Sequence, residues 1–209
     1  ETKLMTGRFY MKRWMPMTGM HLARKELAVT LDVFAERLPG LRLLDPDAAA
    51  PTVIVDDERA KSPVAGPVDG CRVDVSACQA LVADVLDHEG LRGRRLEVHV
   101  HVVDEEPMAT LNAEYMGGEG PTDVLSFPVD DPAEVPDGIP VLLGDIVLCP
   151  VVAGRQAAAH TGDYDTELAL LLVHGVLHLL GHDHAEPAEA AAMRERERAH
   201  LARHGRVWS

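Results

Sequence analysis

Residues 96–102 alternate strictly: Leu96, Val98, Val100 and Val102 are apolar, while Glu97, His99 and His101 between them are polar. Successive side chains of a strand point to opposite faces, so this pattern predicts a strand with one buried face. His99 and His101 then fall on its solvent face and are not expected to be ligands. Residues 73–88 show the other period, with Val75, Cys78, Leu81, Val82 and Val85 recurring at helical spacing. Short apolar runs at 52–55, 124–127 and 141–148 predict further strands. Helices are expected at about 105–115, 151–160, 166–180 and 187–204. A Gly/Pro-containing loop runs through Gly70, and no internal repeat is visible. The fold class is therefore α/β: a small mixed sheet of about four strands with packed helices, the one at 166–180 central and buried.

The chemistry sits in that central helix. Residues 168–180 are apolar almost all round, which predicts burial. His174 and His178 lie within it four apart, so they project from one face. Burying two imidazoles is costly without a strong partner. Gly181 supplies a left-handed turn that ends the helix, and His182-Asp183-His184 brings the chain back within reach. Three neutral imidazoles suit one Zn2+ per chain with an open fourth position, whereas a closed structural shell would more often use thiolates. His182 and His184 compete for the third place; a glycine followed by a short turn favours the later residue, His184. Gly175 stands where H-E-x-x-H metalloproteases carry their general base, so a peptidase of that type is not expected.

Composition bounds the rest. The 209 residues suit one sizeable domain plus an extension. Residues 1–50 hold five of the eight methionines, and 8 Lys+Arg against 6 Asp+Glu. They are expected to form an N-terminal extension, in part disordered, with an amphipathic pattern at 24–38. Residues 51–209 are expected to be the domain proper, with 12 Lys+Arg against 28 Asp+Glu. That acidic balance counts against a broad nucleic-acid footprint, and no DNA partner is expected. Arg92, Arg94 and Arg95 are the basic group of this part without interleaved acids. Three cysteines, without C-x-x-C spacing, suggest reduced thiols in a cytoplasmic protein. No apolar run approaches the ~20 residues of a membrane span, so no membrane partner is expected.

Three blocks, in order, carry a family resemblance: Leu111-Asn112 with Tyr115 and Gly120-Pro-Thr-Asp-Val-Leu-Ser-Phe-Pro128; then Leu143-Gly-Asp-Ile-Val-Leu148; then His174-Gly-Val-Leu-His-Leu-Leu-Gly-His-Asp-His184. Together they resemble the YbeY family of bacterial rRNA maturation endoribonucleases, from about residue 52 to the C-terminus. The resemblance implies that His174, His178 and His184 bind the metal, usually zinc. It also implies cleavage of single-stranded RNA, with roles in maturing the 3′ end of small-subunit (16S) rRNA and in ribosome quality control, and hence rRNA and ribosomal partners. Many members have Arg after the tyrosine of the first block. Here that residue is Met116, which cannot donate to a phosphate oxygen. Arg155 is one candidate substitute, against its plainer reading as a solvated helix residue.

The general base stays unassigned. Asp123 reads as a turn residue bonding its own backbone, or as a carboxylate orienting the attacking water. Asp183 reads as the N-cap of the last helix with Glu186 three residues on, or as a carboxylate bonded to a ligand imidazole. Asp145 reads as structural, and the run Arg194-Glu-Arg-Glu-Arg198 as a solvated helix face. Two functions remain open: a zinc-dependent endoribonuclease, or a ribosome-associated assembly factor with a mainly structural zinc and little catalysis. Met116 and the acidic charge favour the second, and an open three-histidine site the first.

Overall fold

The structure, a computed structural model, describes residues 50–61 and 71–208. The expected extension, the pattern at 24–38 and part of the loop before Cys71 lie outside these residues. Four strands form one sheet: β1 (Thr52–Asp57), β2 (Leu96–Val102), β3 (Val124–Pro128) and β4 (Val141–Leu148). Their spatial order is β1-β2-β4-β3, with β1, β2 and β4 parallel and β3 antiparallel at the edge. Five helices accompany them: α1 (Val75–Leu86), α2 (Glu105–Leu111), α3 (Pro150–His160), α4 (Tyr164–Leu179) and α5 (Pro187–Arg203). The expected helix at 105–115 ends as α2 at Leu111 and continues through a wider turn, Asn112–Met116, which Gly117 closes with φ 65°.

The alternation along β2 divides two environments. Leu96, Val98, Val100 and Val102 are buried, and the first three join the main core with residues of α1 and α4. Glu97, His99 and His101 lie on the opposite, more open face. β4 keeps that division through a bulge. Glu97 pairs with Leu142 and Val98 with Gly144, leaving Leu143 as an extra residue. Gly144 takes φ 137°, and a Cβ there would lie 2.1 Å from the Phe127 carbonyl oxygen, so only glycine fits. A second, smaller apolar cluster of Val103, Met108, Leu125, Val147, Cys149 and Val152 lies beside the polar part of the open face.

Helix α4 runs through the middle of the core. Its residues from Thr166 to Leu179 are all buried, as its nearly continuous apolar sequence predicts. Asp163 caps it, accepting from the Thr166 backbone N–H at 2.9 Å. The helix approaches β4 closely at Gly175, where a Cβ would lie 3.0 Å from Ile146 Cγ2. The Ser126 hydroxyl of β3 donates to the Gly175 carbonyl at 3.3 Å. No helix among the described residues is long and apolar enough to cross a membrane.

Candidate metal centre

The end of α4 sets the geometry. Leu180 leaves the helix, and Gly181 follows at φ 84°. The Gly181 N–H donates to the His178 carbonyl and the His182 N–H to the Leu177 carbonyl, both at 3.0 Å. This is the paired bonding of a Schellman turn, with glycine in the left-handed position. It reverses the chain so that His184 returns to the helix face carrying His174 and His178. The His184 ring centroid lies 5.3 Å from that of His174 and 5.0 Å from that of His178. One ligand nitrogen from each of the three rings lies within 4.8 Å of the others.

Hydrogen bonds at the back of the two helix rings decide which nitrogens face inward. His174 Nδ1–H donates to Glu197 Oε1 at 2.5 Å, and His178 Nδ1–H donates to the His182 carbonyl at 2.9 Å. With both protons held at Nδ1, the Nε2 lone pairs meet 2.9 Å apart, an arrangement unfavourable for two acceptors unless a cation lies between them. His184 Nε2 is buried with no hydrogen-bond partner. The His178 ring is pushed down to about 3 by burial and by the neighbouring His174 and His184 rings, so it is neutral at physiological pH. Neutral, convergent imidazoles with carboxylate and carbonyl partners behind them fit a zinc ion and its usual outer shell.

Of the two alternatives for the third imidazole, the structure brings His184 to the cluster. His182 turns its ring to Glu89, at 3.5 Å from Oε2, and uses its carbonyl to orient His178. Asp183 accepts from the His184 N–H at 2.7 Å. It does not cap the last helix, as the sequence suggested. The helix starts at Pro187 as expected, so its capping box is Glu186 with Glu189. Asp123 is buried, and its Oδ1 accepts from the Val124 N–H at 2.8 Å and the Thr122 hydroxyl at 3.1 Å, the bonding of a turn residue. The Arg155 guanidinium is paired with Glu105. Met116 packs against the second apolar cluster.

One residue of this site was missed. Glu197 lies inside the run read as a solvated helix face, yet it is 1% exposed and holds His174. Met193, Glu197, His200 and Leu201 form the buried stripe of α5. Their helical spacing was the available signal. Arg196 of the same run bonds Glu89 at 2.7 Å, and Arg198 lies over the Trp208 ring.

The sequence profile of the family described as Endoribonuclease YbeY matches residues 69–205. This chain belongs to the YbeY family. Among its relatives, an Endoribonuclease YbeY of Salinispora tropica is 48% identical over 132 residues, covering 59% of this chain and 83% of that protein. One of Cutibacterium acnes is 53% identical over 100 residues, covering 46% and 64% respectively. One of Frankia casuarinae is 46% identical over 134 residues, covering 61% and 65%. The chain thus spans less than two thirds of the length of the latter two. A Thermotoga maritima protein solved in solution aligns at 24% identity and TM-score 0.46, over 72% of this chain and 85% of that one. The matched region includes both helix histidines, the Gly181 turn and Glu197.

Proposed function

We propose that this YbeY-family chain is a zinc-dependent endoribonuclease specific for single-stranded RNA. It would act in the cytoplasm on small-subunit (16S) rRNA, in 3′-end maturation and ribosome quality control. The observation that carries this reading is the convergence of His174, His178 and His184, with no fourth His, Cys, Asp or Glu grouped with them among the described residues. His174 and His178 would hold the metal through Nε2, with His184 as the third ligand. When bound, zinc supplies Lewis acidity toward a phosphoryl oxygen and acidifies a water molecule. Glu197 keeps the His174 proton at Nδ1 and makes that ring a stronger donor, and the His182 carbonyl does the same for His178. The main core encloses the helix that carries both rings.

An assembly factor with a structural zinc and little catalysis is the second reading. It is favoured by Met116, whose side chain packs with apolar residues where many members carry a cation, and by Arg155, which is already paired. Chelator treatment followed by zinc restoration separates the two. The nuclease reading expects cleavage of a single-stranded RNA oligonucleotide to disappear with the metal and return with it. An enzyme-free background rate in the zinc-loaded protein would favour the assembly factor instead.

A further inference from the structure

The open face of the sheet, across from α4, carries a second group of ligand-type side chains. His99 and His101 are two apart on β2, so both project from this face. Asp145 of β4 is the direct register partner of His99. One ligand atom from each of the three lies within 4.8 Å of the others, and all three residues are half-buried. Further carboxylates stand at the rim. His101 Nδ1 is 2.9 Å from Glu58 Oε1 and its Nε2 is 3.1 Å from Asp145 Oδ1, while His99 Nε2 is 2.6 Å from Glu97 Oε1.

Two imidazoles with one carboxylate form a donor set for borderline divalent ions such as Ni2+, Co2+ or Zn2+. Mg2+ and Ca2+ prefer all-oxygen shells. We propose that His99, His101 and Asp145 form a second divalent transition-metal site, independent of the three-histidine centre. Ligation requires the deprotonated imidazoles and carboxylate, so proton release accompanies metal binding there. A bound ion links the two central strands, β2 and β4, and stabilises the folded chain by mass action.

The test is equilibrium dialysis of the full chain against Ni2+ at pH 7.5, with folding monitored by circular dichroism. Wild type is expected to bind about two ions, one at each site. His99→Ala and Asp145→Asn are each expected to lose one. His99→Ala leaves the Glu58–His101–Asp145 contacts in place, so it separates lost ligation from lost folding. In protein already holding one zinc, added Ni2+ should raise the thermal midpoint of wild type but not of His99→Ala. A wild-type count of none, a count of one that survives in His99→Ala, or wild-type counts in both variants would overturn the proposal. His178→Ala reads the other centre. If it leaves the count unchanged, the three-histidine reading fails while the sheet site is judged on His99→Ala alone.

Discussion

Glu197 and Gly175 lie beside the two helix histidines of this YbeY-family chain, one bonded to His174 and the other between them in sequence. Glu197 is buried against His174, so its carboxylate would hold the tautomer and strengthen the ring if it ligates a metal, as proposed. Glu197→Gln keeps an acceptor but removes the charge, and zinc affinity is expected to fall by about 10- to 100-fold in a chelator competition. Gly175 holds the position at which a zinc peptidase carries glutamate, and its backbone packs on Ile146. Gly175→Glu would push an unpaired carboxylate into the core, at a cost of several kcal/mol. It is expected to yield an unfolded or strongly destabilised protein in thermal denaturation, not a peptidase.

At the scale of elements, one acid ties three segments around the site. Glu89, in the turn Asp87–Leu91 after α1, accepts from Arg196 at 2.7 Å and His200 at 2.8 Å on α5, and lies 3.5 Å from His182 Nε2. Burial raises its pKa, but His200 and Arg196 outweigh it and hold the carboxyl below its ordinary value. A depressed carboxylate contributes stability above its unfolded pKa, and that stability is lost as pH falls through the folded value. Glu89→Gln is therefore expected to cost about 1–2 kcal/mol at pH 7, a figure discounted for the half-exposed Arg196. Urea unfolding at pH 7 and at successively lower pH checks this, because the difference from wild type should shrink below the unfolded-state value of about 4.3 and vanish only below the folded one. β2 and α1 were legible in the sequence because a single apolar period governs each, and the other strands and α4 because they are nearly continuous apolar runs. The buried face of α5 was not, since two of its four members, Glu197 and His200, are polar and no apolar count registers them. The start of the last helix at Pro187 was legible, but its cap was not, because Asp183 and Glu186 both suit one.

For the whole molecule, the contrast is between an acidic chain, −14 overall, and an expected polyanionic substrate. Its affinity for free RNA is expected to be weak and to depend on the metal more than on diffuse charge. A chain beginning at residue 51 is expected to fold cooperatively and bind zinc, since the core formed among the described residues and the three histidines lie within it; denaturation with metal analysis checks it. The most direct test of the central claim is cleavage of a single-stranded RNA by His184→Ala, read alongside its zinc content. The three-imidazole centre predicts that zinc and cleavage are lost together while the fold, seen by circular dichroism, persists. Full zinc retention with unchanged cleavage in that variant would contradict it.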